Sequence, residues 1–201
     1  MKVPDINSSL NEKDLAGFRS LFEKNIDLEE EEWELISNNL TYHTAGRNAV
    51  LLHTGEVEKT GRLIVKGIIK VTVHEQNTDP YVFDFRKAGD YLCDVVSFIQ
   101  KSKSSFTFKT LTPCEWLEIN LSDLTTMNET TFILFNRIIL GQLKRGYDRT
   151  AFFRISPGEE RYMLFCKQYP EIVKQVKLGE IASYLNITPQ SLSRIRKNWI
   201  R

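Results

Sequence analysis

The chain has 201 residues, with 27 Lys and Arg against 26 Asp and Glu, and is 41% hydrophobic and 26% charged. That composition offers material for one large or two modest domains, and no apolar run reaches the roughly 18 residues of a membrane span, so no membrane partner is expected. The start, MKVPDINSSLNEKD, lacks the apolar stretch of a secretory signal, and the widely spaced Cys93, Cys114 and Cys166 fit reduced, buried thiols of a cytoplasmic protein better than a disulfide framework, a zinc site or an iron–sulfur centre.

In the first forty residues Leu10, Asp14 and Phe18, then Leu21 and Phe22, recur at helical spacing. The acids Glu29 to Glu32 suit the N-terminus of a second short helix through Trp33 and Ile36. From Tyr42 short apolar runs take over: AVLLH, RLIVKG, IIKVTV, YVFDF, FTFKTL and CEWLEINLSDL. They are punctuated by Gly46, Gly55, Gly61, Gly67 and Gly89 and by the polar turn Glu75 to Pro80. Branched and aromatic residues at this spacing predict a compact antiparallel β domain, a barrel-like or sandwich roll.

A helix from about Leu124 to Phe153 follows. Phe132, Phe135, Ile139, Leu143 and Tyr147 repeat every three to four residues, with Ile138 and Leu140 beside them, a stripe too long for a small roll to cover. It fits a core helix or a helix paired with its twin in a homodimer. The pattern favours the second, with Phe132, Phe135, Ile139 and Leu143 as the candidate interface. At Ser156-Pro157-Gly158 the helix breaks; Ser156 can cap and Pro157 can start the next, which runs through Tyr169 and ends with the help of Pro170.

The stretch LGEIASYLNITPQSLSRIRKN, Leu178 to Asn198, reads as two short helices across a sharp bend. Leu178, Ile181, Ala182 and Leu185 share one side of the first, and small Ala182 lets the second cross closely. Asn186 tolerates the left-handed conformation such a bend needs, Ile187 points inward, Thr188 is a natural N-cap and Pro189 suits the first helical position. On the second helix Leu192, Ile195 and Trp199 share a face, and Gln190, Arg194, Lys197 and Arg201 fall opposite. That is the arrangement of a helix-turn-helix, in which Arg can fork to guanine and Gln to adenine, while Ser191, Ser193 and Arg196 can reach phosphates. Charge agrees: from Ala151 onward nine Lys and Arg face four acids, an asymmetry that attracts a polyanion.

Taken whole, the chain resembles the Crp/Fnr family of bacterial transcription regulators. AGRNAVLLHTGEVEKTGRLIVKGIIKV and KAGDYLCD match its roll, and VKLGEIASYLNITPQSLSRIRKN its DNA-binding end; ERYMLFCKQYP with that end looks like a subgroup common in Bacteroidetes-type bacteria. The resemblance implies an α+β fold: N-terminal helices and an antiparallel, cyclic-nucleotide-binding-type β-roll of the double-stranded β-helix kind over residues 1–123, a long dimerisation helix over 124–153, and a helix-turn-helix domain over 154–201. It implies double-stranded DNA and a second copy of the chain as partners, with RNA polymerase as a further one. The base-reading positions fall on Pro189, Gln190 and Arg194, and a phosphate-facing one on Ser191. The DNA-binding set is then Thr188, Pro189, Gln190, Ser191, Ser193, Arg194, Arg196 and Lys197. Pro189 cannot read a base edge by hydrogen bonding, so the site should depart from that of the best-known members. The β-wing that usually follows the recognition helix would be absent or reduced to Trp199-Ile200-Arg201.

Members that bind cyclic AMP carry Gly-Glu in a short cassette and Arg-Ser ten residues later. Here Cys93-Asp94 and Ser104-Ser105 stand at those places. Without the Arg nothing fixed neutralises a buried phosphate, and Asp94 repels it, which argues against cyclic AMP. The candidate effector pocket is Gly89, Asp94, Ser104, Ser105 and Phe106; it holds another small molecule, or is filled by Tyr91, Phe98 and Phe106 and holds nothing. No cofactor is assigned. His43, His53 and His74 are isolated histidines, ordinarily structural or solvated, and give little support for heme. No phosphate-binding GxxxxGK[ST] loop, HExxH or GxSxG supports an enzyme. The competing class is a small-molecule-binding or protein-interaction module whose helix-turn-helix is not used on DNA.

Overall fold

The computed structural model describes residues 12–23, 29–74, 79–120, 129–155 and 157–199. Helices α1 (Glu12–Glu23) and α2 (Glu30–Ser37) come first. A capping box opens α2: the Glu29 backbone N–H donates to Glu32 Oε2 at 2.9 Å, and the Glu29 side chain takes the N–H of Glu32 in return.

Two four-stranded sheets then face each other. The first has the order β1 (Thr41–Ala45), β8 (Cys114–Asn120), β3 (Thr60–Lys66), β6 (Tyr91–Leu92); the second β2 (Val50–Leu52), β7 (Phe106–Thr110), β4 (Ile68–Val73), β5 (Tyr81–Lys87). Every pairing is antiparallel. Between β6 and β7 lies the short helix α3 (Val95–Gln100). The expected roll is therefore present, and its first strand, β1, begins one residue before the point where the sequence texture changes.

The strands read as continuous apolar runs because both faces are covered. Ile64, Ile69, Phe108 and Trp116 point between the sheets, whereas Leu63 and Leu117 point outward to α1, α2 and the long helix, and Ile68, Val82 and Phe85 outward to the C-terminal helices. Gly67 makes the β3–β4 turn at φ 95°, and a Cβ there would stand 2.5 Å from the Pro113 carbonyl oxygen and the Cys114 Sγ, so no other residue fits.

The long helix α4 (Glu129–Ile155) packs through Phe135, Ile138 and Ile139 on the core that includes Leu63 and Leu117 of the first sheet; residues 124–128, where it was expected to start, lie outside the described residues. Its inner face corrects part of the interface expectation. Phe135 is 8% exposed and meets Phe98 edge-on at 5.8 Å, and Ile138 and Ile139 pack on the same core. Phe135, and in part Ile139, thus belong to the core of the chain itself. The Phe132 side chain lies outside the described residues. The outward apolar strip is Leu140, Leu143 and Tyr147, which are 63%, 52% and 74% exposed.

Helices α5 (Gly158–Gln168), α6 (Pro170–Gln175), α7 (Leu178–Tyr184) and α8 (Pro189–Trp199) form the C-terminal head. Pro157, not Ser156, is the N-cap of α5; Ser156 lies outside the described residues. Pro170 does more than stop a helix. It is the first residue of α6, which the sequence reading omitted: a fixed φ and a missing N–H suit a helix start as well as they end its predecessor. The head is not a separate globule, because Ile68, Val82, Phe85 and Leu111 of the roll share one core with Phe165, Ile172, Ile181 and Leu192 of the head. Around that core Lys70 pairs with Glu180 at 2.6 Å, Lys87 with Glu171 at 2.7 Å, and the Val82 N–H donates to Ser183 Oγ at 2.9 Å.

Candidate nucleic-acid interface and effector cavity

The bend between α7 and α8 forms as its residues dictate. Leu185 ends α7, and Asn186 takes φ 52°. The Asn186 N–H then reaches the Ser183 carbonyl at 3.1 Å and the Ile187 N–H the Ala182 carbonyl at 3.1 Å, the paired bonds of a Schellman turn. Ile187 turns into the head core and lies against Gly158, where a Cβ would come within 2.9 Å of it. Thr188 caps α8: its Oγ1 accepts from the Ser191 N–H at 3.1 Å and donates to the Ser191 hydroxyl at 2.9 Å. Ala182 and Leu192 are fully buried where the two helices cross.

This packing leaves Pro189, Gln190, Ser193, Arg194 and Lys197 exposed along one face of α8. Thr188 and Ser191 are engaged in the cap, although the Ser191 hydroxyl retains a proton to donate. Arg196 is half-buried and lies within hydrogen-bonding reach of Tyr162, whose hydroxyl is pushed up to about 12 by burial and by Cys166, with Arg196 acting the other way. It therefore braces α8 on α5 as well as carrying charge. Arg201 and the Trp199 side chain lie outside the described residues. Two of the head's four acids, Glu171 and Glu180, are neutralised by the roll lysines, which leaves the exposed face of α8 more basic than sequence counting implies.

The cassette is closed. Asp94 caps α3, its Oδ1 accepting from the Ser97 N–H at 3.1 Å and its Oδ2 from the Ser104 hydroxyl at 2.7 Å. Ser104 Oγ also accepts from the Phe106 N–H at 3.0 Å. Beneath them Arg62 pairs with Glu58 at 3.0 Å and Glu118 at 3.1 Å. Ser105 is exposed, and Gly89 serves a turn at φ 87° with its N–H on the Ile64 carbonyl at 2.8 Å. Of the five expected pocket residues, Asp94 and Phe106 line a cavity, while Gly89, Ser104 and Ser105 do not.

That cavity, of about 520 Å³, lies between the roll and α4, with Cys93, Asp94, Val95 and Val96 of the cassette on its wall. Phe83, Phe106, Ile139 and Leu143 give it apolar walls, and Arg86, Arg145 and Arg149 bring charge. Tyr91 and Phe98 do not fill it: Phe98 is buried against Phe135, and Tyr91 lines a smaller crevice behind. Next to the cavity Arg145 Nε binds Asp84 at 2.9 Å, Arg145 Nη1 binds Asp90 at 3.1 Å, and Arg86 Nη2 donates to Gln142 at 3.0 Å. Burial opposes ionisation of Asp84, but Arg86 and Arg145 outweigh it and hold the carboxyl below its ordinary range.

Solved structures with this arrangement include FixK2 from Bradyrhizobium japonicum, at TM-score 0.66 and 12% identity over 79% of this chain and 83% of that one. CLP, the c-di-GMP-responsive global regulator of Xanthomonas campestris, is similar at TM-score 0.64 and 14% identity over 85% of this chain and 91% of that one. The chain has the Crp/Fnr fold. The cAMP-bound PfPKA-R is similar at TM-score 0.54 and 19% identity over 59% of this chain; the chain spans 43% of its length, less than half. Neither a protein-family model nor a curated protein matches the chain in sequence.

Within the Crp/Fnr fold, the sequence reading missed the arginines of α4. A signal was present: Ile138, Gln142, Arg145 and Arg149 continue the inward spacing of Phe135 by steps of three and four, so a polar run was entering the buried side of the helix. Among the described residues no group of His, Cys, Asp and Glu could hold a metal ion. His43, one of the isolated histidines, stacks on Trp116 at 5.5 Å.

Proposed function

We propose that the chain is a sequence-specific DNA-binding transcription regulator that acts as a homodimer in the bacterial cytoplasm. The observation that carries this is α8: a capped helix pinned by its inner face, with Gln190, Ser193, Arg194 and Lys197 exposed in a row. Such a face fits the major groove, with Arg194 and Gln190 reading base edges and Ser191 and Lys197 on phosphates. The strip of Leu140, Leu143 and Tyr147 supports pairing of two copies along α4, which would set two recognition helices about 34 Å apart on a palindrome. Double-stranded DNA, a second copy and, for activation, RNA polymerase are the partners. The regulator role of CLP is consistent with this reading. The closed cassette argues against cyclic AMP as effector.

The test is selection of bound sequences from a random DNA pool by the purified protein, with Arg194→Ala beside it. A palindrome recovered by the wild type alone supports the reading; no enrichment, or equal enrichment by both, rejects it. Salt dependence separates it from an interaction module, since a DNA binder loses affinity steeply as counterions compete.

A further inference from the structure

Resting on that reading, we infer that Arg161 is a positioning residue: it fixes where α8 stands relative to α4, and thereby which spacing of half-sites the paired chain accepts. Its side chain touches both the end of α4 and the bend that precedes α8. Arg161 Nε donates to the carbonyl of Leu185, the residue that ends α7, at 3.2 Å. The same guanidinium lies 5.7 Å from the ring centroid of Phe153, in the last turn of α4.

Each contact suits an arginine. The Leu185 carbonyl stands where the helix stops, so no helical N–H follows to take it, and a charged donor gives it a stronger bond than a neutral one would. Phe153 is a fixed reference on α4 rather than a loose tip: Arg149 of its own helix stands over it at 4.9 Å, and Tyr184 of α7 meets it edge-on at 6.1 Å. On the same turn of α5 as Arg161, Gly158 approaches the bend so closely that a Cβ would stand 2.9 Å from Ile187. The roll grips the head through Glu171, Glu180 and Ser183. The grip of α4 on the bend runs instead through Phe153, which Tyr184 and Arg161 share.

In a pair built along α4, that helix is the common axis, so the separation of the two α8 helices depends on how each is held to it. One base pair of extra spacing moves a half-site by about 3.4 Å and turns it by about a tenth of a revolution. A bend held less firmly on α4 therefore ceases to distinguish neighbouring spacings. Base reading is a separate matter, carried by the exposed Gln190 and Arg194.

Selection from a pool with constant half-sites and varied spacers reads the effect. The wild type should prefer one spacer over those a base pair longer or shorter by at least about tenfold. Arg161→Met removes the donor; it should cut that preference to below about threefold while the preferred half-site sequence stays the same. Arg161→Lys, which can donate to the same carbonyl, should restore most of it. A wild type indifferent to spacing, an unchanged preference in Arg161→Met, or an affinity lowered alike at every spacer, as a merely structural role implies, would each overturn the inference. A second measurement needs no DNA: spin labels on encoded ketone amino acids in place of the exposed Lys144 and Ser193, in chains diluted with unlabelled protein, report the distance from α4 to α8. That distance should be narrowly distributed in the wild type, broadened or displaced in Arg161→Met and restored in Arg161→Lys. Identical distributions in all three would overturn the inference even if the DNA selection succeeded, and a failed selection with the expected distances would reject the DNA reading alone.

Discussion

The Ser104 hydroxyl donates to the Asp94 carboxylate at 2.7 Å, so two positions ten residues apart close on each other. Ser104→Ala removes that donor and the acceptor of the Phe106 N–H together, and should cost about 1–3 kcal/mol, read as a lower urea midpoint. Cyclic AMP should shift the melting temperature of neither protein; a rise in the wild type would refute the closed cassette.

Arg194→Ala should weaken the selected site by about 1–3 kcal/mol and relax sequence preference, with unfolding unchanged because Arg194 is exposed. Lys197→Ala should instead weaken all sequences alike and reduce the salt slope by about one. Fluorescence anisotropy on matched and scrambled duplexes distinguishes the two.

Two substitutions on α4 should behave oppositely. Tyr147→Asp lies on the exposed strip and should halve the mass seen by sedimentation while the protomer stays folded. Phe135→Asp buries a charge in the protomer core, 8% exposed, and should lower stability by more than about 3 kcal/mol. If Phe135→Asp gave a folded monomer, the assignment of the two faces would be reversed.

Those two faces show where sequence legibility ended. Asn186, Thr188 and Pro189 were readable because a left-handed bend, a cap and a first helical residue are each decided within a few neighbours. The strands were readable from their branched runs and glycines. The orientation of α4 was not, since periodicity gives an apolar stripe but not what covers it, and both sides of this helix are partly apolar. Nor was the docking of the head: Lys70 meets Glu180 across 110 positions of sequence, and no local rule carries that far.

The Asp84 site predicts an acid dependence. Arg86 and Arg145 keep its folded pKa below that of the unfolded chain, against the opposing effect of burial. The stability it contributes is therefore complete above the ordinary carboxylate value, about 4, and is lost as pH falls through the folded value. Asp84→Asn should be less stable than the wild type at neutral pH, and the gap should narrow below about pH 4. A gap constant from pH 7 to pH 3 by urea denaturation would contradict this.

The bond from the Val82 N–H to Ser183 Oγ has a consequence for handling the protein. Strand β5 is the last of its sheet, and α7 lies along it. A head that swings away uncovers strand backbone able to recruit the same strand of another molecule. Freedom of the head and colloidal stability are thereby opposed, and variants that loosen this contact should precipitate sooner on standing than the parent.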